Sequence, residues 1–158
     1  MPRRVEYFDD PNAPKPNSLV VAVSAVVANE RGEVLLQKRT DNELWGLPGG
    51  GMDLGESVGQ AVAREVREET GLEVEPTGLV GIYSDPGHVI AYTNGEVRQE
   101  FSICFVARIV GGQASVADEE STEVRFVPTS AIDQFAMHRS TRLRLQHFLE
   151  RRGTPYFA

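Results

Sequence analysis

The sequence is poor in cysteine and in long apolar segments, and each shortage excludes a class of protein. Cys104 is the only cysteine among 158 residues, so no disulfide framework can form within one chain. It lies in the apolar run 101–110, where a buried strand residue is expected rather than a nucleophile. The longest apolar stretch, 19–28, is far too short to span a bilayer. With no apolar leader, the sequence predicts a cytoplasmic protein that does not bind membranes.

The length fits one domain preceded by a short arm. Residues 1–17 contain Pro11, Pro14 and Pro16, which favours an extended arm over core. Residues 18–158 are enough for a single domain with one sizeable core. No internal repeat or low-complexity segment divides them.

Charge is unevenly distributed along the chain. The net charge is −7, but residues 137–158 carry five arginines against one glutamate, which gives +4 there and leaves −11 for the rest. The basic end is expected to be an amphipathic helix with arginines in solvent, in preference to a phosphate or nucleic-acid contact. No specific nucleic-acid partner is predicted, since the acidic body would repel one. This helix carries more apolar side chains than one stripe needs, namely Leu143, Leu145, Phe148 and Leu149. They suggest a homodimer to which the helix or the Pro-rich arm contributes contacts.

Changes of hydrophobic period mark the elements. The β-rich runs 19–28 and 33–39 are joined by a hairpin signal at 29–32, and residues 45–55, with Pro48 and five glycines, are expected to form a loop. Ser57 and Gly71 predict the caps of a helix. Further strands are expected near 79–83, 89–92, 101–110 and 124–127, with a turn at 94–95, a short helix after Pro128 and a longer one over 140–151. Mixed strands among helices predict an α/β protein, an α/β/α sandwich around a mixed central sheet.

Three carboxylates stand where that first helix should face the core. Glu65, Glu68 and Glu69 have the spacing i, i+3, i+4, and Glu65 and Glu69 continue the apolar stripe of the same helix. A solvated acidic face is the ordinary meaning of a charge run, but the position on the apolar stripe argues against it. Crowded buried carboxylates favour a shared divalent cation, and an all-oxygen shell indicates Mg²⁺ or Mn²⁺.

The same segment resembles a family motif. From Gly50 to Leu72 the chain reads G-x5-E-x7-R-E-V-x-E-E-x-G-L, which matches every fixed position of the Nudix box, G-x5-E-x7-R-E-U-x-E-E-x-G-U with U aliphatic. A match of this length is far more specific than a short glycine motif. The resemblance implies a Nudix-type fold and an enzyme that uses a divalent metal to hydrolyse nucleoside diphosphates linked to another group.

Site residues follow from the helix and from the resemblance. The expected metal ligands are Glu65, Glu68 and Glu69, and the resemblance adds the carbonyl group of Gly49. Gly49 and Gly50 permit close backbone approach, although a tight turn would need glycine as well. Arg64 and Glu56 share a helix face, where Arg64 is expected to hold Glu56 or to orient a ligand carboxylate.

Outside the box the signal is weaker. The resemblance implies a further acid from a loop, and Glu120 stands at the right place, with Glu119 and Glu123 as alternatives. Glu69 or Glu120 is the candidate general base. Arg39 and Trp45 flank the glycine loop and are candidates for phosphate and base contacts, although Trp45 suits the core equally well. His138 is also a candidate substrate contact; for it, as for His88 and Arg98, a structural hydrogen bond is the commoner role.

The reaction expected is hydrolysis of a phosphoanhydride by a metal-bound water. In relatives that cleave ADP-ribose a proline follows the box at a similar distance to Pro86, which tilts the expectation slightly toward a nucleoside diphosphate sugar. Alternatives are nucleoside triphosphates, dinucleoside polyphosphates, or a nucleotide-sensing module without catalysis. The complete box argues against the last.

Overall fold

The computed structural model describes residues 3–150 and 153–158. The helices are α1 (Val58–Thr70), a 3₁₀ helix (Thr129–Gln134) and α2 (Arg139–Leu149). The strands within the described residues are β1 (Arg4–Phe8), β2 (Ser18–Ala28), β3 (Val34–Arg39), β4 (Trp45–Gly46), β5 (Gly49–Gly51), β6 (Leu72–Tyr83), β7 (His88–Tyr92), β8 (Val97–Gly112), β9 (Ser121–Val127) and β10 (Tyr156–Phe157).

The long strand β8 is the spine of a mixed sheet. It runs parallel to β2 from Arg98 to Arg108. On its other edge it pairs antiparallel with β7 at its start and with β6 along the rest. β1 extends the sheet beyond β7, and β3 carries β9 and β4. The predicted mixed central sheet is confirmed.

The two faces of the sheet bury two separate cores. Alternation along β2 sends Val23, Ala25 and Val27 to the face covered by α1, and Val26 to the opposite face. The α1 core is completed by Ala61, Val62 and Val66, all fully buried. The second core contains Cys104 and Leu145 of α2. The layers are thus helix, sheet and helix, as the α/β/α prediction required, and Cys104 is the buried strand residue expected.

Helix α1 has the predicted ends. The Ser57 hydroxyl accepts from the backbone N–H of Gln60, whose side chain accepts from the N–H of Ser57, a complete capping box. Gly71 ends the helix with a φ of 77°, a left-handed conformation that glycine adopts at little cost. The helix is therefore fixed at both ends, which fixes its acidic side chains against the neighbouring loop.

Two local expectations need correction. The segment 45–55 is more than a loop, because it contains β4 and β5, and β5 hydrogen-bonds to β2. The turn at 29–32 forms, with Gly32 donating to the carbonyl of Asn29, but β2 and β3 then diverge after the single pair Ala28 and Val34. The glycine segment fills the gap, since β5 takes the place beside β2 that a hairpin partner would occupy.

The two ends of the chain contribute to the sheet and to the second core. In the arm 1–17, β1 pairs with β7 from Arg4 to Phe8. In α2 the arginines are not all solvated as expected, because Arg144 is 7% exposed. Leu145 is buried while Leu143 and Leu149 are 39% and 44% exposed. The predicted end of this helix at 151 lies outside the described residues, and no helix within the described residues is long and apolar enough to cross a membrane.

Gly71→Ala should destabilise the protein. A Cβ at Gly71 would lie 2.8 Å from the carbonyl oxygen of Gln113, and its φ is unfavourable for alanine. We expect the free energy of unfolding to fall by at least about 1 kcal/mol. Gly59→Ala is the matched control in the same helix, because its Cβ would meet only Pro76 at 3.8 Å, and it should be neutral or slightly stabilising. Urea denaturation measures both; equal losses would contradict this account of the cap.

Candidate active site

Glu69 is a buried carboxylate between α1 and the glycine segment. It is 2% exposed. Its Oε1 accepts from Nε2 of Gln37 at 2.8 Å, and its Oε2 accepts from the backbone N–H of Gly49 at 3.0 Å. The inward position that helical spacing predicted for Glu69 is confirmed. Glu65 is partly buried, whereas the side chain of Glu68 is 54% exposed.

Arg64 gathers the other carboxylates. Its Nε and Nη2 donate to Glu56 at 2.6 and 3.0 Å, a two-point ion pair. Its Nη1 donates to Glu65 at 3.0 Å and to Glu68 at 3.1 Å, and its Nη2 also donates to the carbonyl oxygen of Gly51. Arg64 therefore both holds Glu56 and orients two carboxylates of α1, the two possibilities that its helix position left open.

Gly49 and Gly50 are required by close approach. A Cβ at Gly49 would lie 2.2 Å from the carbonyl oxygen of Val23, and a Cβ at Gly50 would lie 2.7 Å from the carboxylate of Glu65. At Gly49 no other residue fits without movement of the backbone, whereas at Gly50 a larger residue would displace the Glu65 carboxylate. The absence of side chains lets β5 sit between β2 and the acidic end of α1.

The crowding of acids changes their proton affinity. Burial is the main cause that raises the pKa of Glu69 to about 9; the charges of Glu65 and Glu120 act in the same direction, and the hydrogen bonds from Gln37 and Gly49 oppose them. Burial also raises the pKa of Glu65, against its hydrogen bond from Arg64. The two carboxyls interact, so at neutral pH they hold a proton between them.

This chemistry fits a divalent cation. The donors available are carboxylate oxygens of α1 and the backbone carbonyl of the glycine segment, an all-oxygen set that suits Mg²⁺ or Mn²⁺. Gln37 Oε1 is buried without a hydrogen-bond partner beside Glu69. Among the described residues no three acidic or histidine side chains converge on one point; Glu65 and Glu68 are both held by Nη1 of Arg64. A bound cation would replace the shared proton and relieve the crowding.

A cleft of about 200 Å³ opens beside this acidic cluster and brings predicted residues together. Its wall includes Gly49 and all four residues expected to contact substrate, Arg39, Trp45, Gly50 and His138. Arg39 already donates twice to Asp41, at 2.9 Å each. Trp45 is buried in the second core, with the guanidinium of Arg125 5.3 Å from its ring centre. The core position of Trp45, one of its two expected roles, is therefore confirmed, and a contact with a base stays a prediction.

The loop before β9 carries the predicted extra acid. Glu120 is exposed, and its charge raises the pKa of both Glu69 and Arg39, so it faces the acidic cluster. Of the alternatives, Glu123 pairs with Arg125, and Glu119 is exposed. The charge of Glu120 is one of the main causes that raise the pKa of Glu69, and its role as the extra acid stays a prediction.

Comparison with known proteins decides the family. The family model of the NUDIX domain matches residues 18–148. The chain belongs to the Nudix family. Its class is that of hydrolases acting on pyrophosphate bonds in nucleotide derivatives, which confirms the resemblance seen in the sequence.

Relatives with different named substrates have similar sequence identities to this chain. An ADP-ribose pyrophosphatase of Methanocaldococcus jannaschii is 35% identical over 73% of this chain and 66% of its own. An RNA pyrophosphohydrolase of Ruthia magnifica is 30% identical over 70% of this chain and 66% of its own. The chain therefore spans about two thirds of the length of each. The crystal structure of a MutT protein from Methanosarcina mazei superposes with a TM-score of 0.67 at 27% identity, covering 89% of this chain and 98% of that one.

Several side chains of the Nudix cleft were not singled out by the sequence. Gln37 holds Glu69, and Arg144 lines the cleft from α2 with its guanidinium 4.4 Å from the ring centre of Tyr83. Glu6 lines the cleft from β1 and contacts His88 and His138. Each lies in a segment with no motif, and only the pairing of distant strands brings it to the cleft.

Without metal, Glu69→Gln should stabilise the protein at neutral and alkaline pH. Because the pKa of Glu69 is raised in the folded protein, its contribution is fully present below about pH 4.5 and is lost as pH rises toward 9. Glutamine removes this loss and can still bond Gly49 and, after an amide flip, Gln37. Thermal melts in EDTA at pH 5, 7 and 9 should show a higher Tm for the variant at pH 9 and a flatter profile. The exposed Glu68→Gln is the control; a lower Tm for Glu69→Gln at every pH would show that the carboxylate is structural.

Proposed function

We propose that the protein hydrolyses a phosphoanhydride bond in a nucleoside diphosphate linked to another group, with Mg²⁺ or Mn²⁺ as cofactor. The observation that carries the proposal is the buried Glu69 beside the partly buried Glu65, both placed against the glycine segment at the edge of a cleft. An acidic pair in this position is costly without a cation. A bound divalent cation would offset this energetic cost, so a metal-binding role explains why the two carboxylates lie together.

The residues of the acidic cluster have separate roles in this proposal. Glu65, Glu68, Glu69 and the Gly49 carbonyl would hold the metal. A bound divalent ion would supply charge neutralisation for the phosphates and a more acidic water. Arg64 orients Glu65 and Glu68 and is itself anchored by Glu56, so Glu56 acts through Arg64. Gln37 and the N–H of Gly49 hold the Glu69 carboxylate in one orientation.

The general base is Glu69 or Glu120. Glu69 is a strong proton acceptor because burial raises its pKa to about 9, but both of its oxygens are already hydrogen-bonded. Glu120 is exposed on a loop and is free to approach a bound substrate. If Glu69 is a metal ligand its proton is displaced, and Glu120 is then the better acceptor.

The cleft wall supplies the substrate contacts. Arg39 is proposed to bind a phosphate, with Asp41 keeping its guanidinium in place. Gly50 is proposed to contact the substrate through its backbone, next to the carboxylate of Glu65. His138 lies at the start of α2, where its Nδ1 is bonded to Ser140 and its Nε2 to Glu6. Trp45 contributes an edge of its ring at most. We slightly favour ADP-ribose or another nucleoside diphosphate sugar, because Pro86 follows the box at a distance similar to that in relatives that cleave ADP-ribose.

Glu68→Gln and Glu69→Gln should each lower kcat by about 10²-fold or more, because each removes a charge that would bind the metal. Both variants should keep their secondary structure, because Glu68 is exposed and a glutamine at position 69 can still bond Gly49 and Gln37. Glu30→Gln, at the exposed turn before β3, is the matched control and should be fully active. Steady-state hydrolysis of a panel of nucleoside diphosphate derivatives with Mg²⁺ measures the effect. Full activity of both acidic-cluster variants would contradict the assignment.

We also propose a homodimer to which α2 contributes. Leu143 and Leu149 expose apolar surface on the outer side of α2, while Leu145 packs inward. Sedimentation equilibrium at micromolar concentration should give a mass near twice 17.4 kDa, and Leu149→Asp should shift it toward the monomer. Thr154→Asp is a control outside α2. A single species near 17.4 kDa in the unmodified protein would refute the dimer.

A further inference from the structure

Strand β1 forms part of the cleft wall although it precedes the matched Nudix domain, which begins at residue 18. It pairs antiparallel with β7, with Glu6 opposite Ile90 and Phe8 opposite His88. Alternation along β1 puts Arg4, Glu6 and Phe8 on one face. Of these, Arg4 and Glu6 line the cleft together with Ile90. Part of the cleft wall therefore comes from a strand outside the residues that the family model matches.

The carboxylate of Glu6 is held by two histidines. Its Oε2 contacts Nε2 of His138 at 2.9 Å and Nε2 of His88 at 3.1 Å, and its Oε1 lies 3.2 Å from Nη2 of Arg4. Burial acts to raise the pKa of Glu6, but the hydrogen bonds from His138 and His88 outweigh it and hold the pKa well below its ordinary value. Glu6 is therefore a fixed, ionised acceptor.

Aromatic packing keeps the two histidines in place. The ring of Phe8 stacks on His88 with centroids 4.3 Å apart and lies 5.2 Å from His138. The guanidinium of Arg139 covers Phe8 at 4.4 Å, and the backbone N–H of Ser140 and the Nδ1 of His138 are 3.3 Å apart. The orientation of Glu6 is thus determined by residues of β1, β7 and α2 together.

Glu6 retains capacity to accept a hydrogen bond from the cleft. A carboxylate offers about four acceptor sites, and the contacts with His88, His138 and Arg4 use three of them. The side chain is 14% exposed, and this exposed part borders the cleft. A cluster that served stability alone would not need an ionised oxygen at a ligand cavity.

We propose that Glu6 is a specificity residue that accepts a hydrogen bond from a ribose hydroxyl of the substrate. A carboxylate accepts such a bond from the ribose 2′-hydroxyl in dinucleotide-binding proteins, whereas it repels a phosphate. This inference rests on the proposed function, since it assumes a nucleotide-derived ligand in the cleft. It narrows the substrate class to compounds that present a ribose hydroxyl to Glu6, and it disfavours 2′-deoxynucleotides and bare phosphate chains at this position.

Isothermal titration calorimetry in EDTA tests the proposal, because binding without metal does not depend on turnover. The ligands are ADP-ribose, ADP and 2′-deoxy-ADP, at concentrations up to millimolar. Glu6→Ala removes the acceptor, and Glu6→Gln keeps its shape without its charge. Glu75→Ala is the matched control. Glu75 lies on β6 and is exposed, and its Oε2 pairs with Nη2 of Arg108 at 2.7 Å.

We expect Glu6→Ala to weaken ADP-ribose binding by about tenfold or more, as loss of a hydrogen bond to a charged group does, with a smaller loss for Glu6→Gln and none for Glu75→Ala. A larger effect on ADP-ribose than on ADP would show that Glu6 contacts the ribose beyond the diphosphate. Equal effects on ADP-ribose and ADP but none on 2′-deoxy-ADP support the ribose of the nucleoside.

Equal losses for all three ligands, no loss, or no binding by the unmodified protein would overturn the role of Glu6. Failure of the proposed function is a separate result: it would appear as absent hydrolysis of every nucleoside diphosphate derivative with Mg²⁺, whatever the variant binds.

Discussion

The buried carboxylate of Glu69 is the constraint on which the site depends. It accepts hydrogen bonds from a strand side chain, Gln37, and from the backbone of Gly49, so it ties α1 to β3 and β5 at one point. Those bonds require β5 to lie against β2 closely enough to exclude any side chain at Gly49. The glycine segment and the divergence of β2 from β3 belong to the same close packing.

Charge balance follows from this arrangement. Glu69 and Glu65 are crowded, and Arg64 offsets only part of the cost because it is shared among Glu56, Glu65 and Glu68. The result is a carboxyl pair that holds a proton at neutral pH. Such a pair exchanges its proton readily for a cation, which links the local energetics of the helix to the chemistry expected of a Nudix hydrolase.

Much of the site was predictable from sequence because it is local. Ser57, Gly71 and the acidic stripe of α1 lie within one helix, where a period of 3.6 residues fixes relative positions. The cleft wall was not predictable in the same way. Glu6 contacts His138 only because β1 pairs with β7 and α2 packs over the sheet. The sequence predicted a solvated Arg144, because helical spacing cannot show that its guanidinium lies over the ring of Tyr83 at the cleft.

The most direct test of the account is proton release on metal binding. Mn²⁺ is titrated calorimetrically into the nucleotide-free protein at pH 7 in buffers of different ionisation enthalpy, with Glu69→Gln in parallel. Because the pKa of Glu69 is raised to about 9, the account predicts release of about one proton per bound ion in the unmodified protein and much weaker binding by the variant. Binding without proton release, or equal binding by both proteins, would contradict the claim that this carboxyl pair is the metal site.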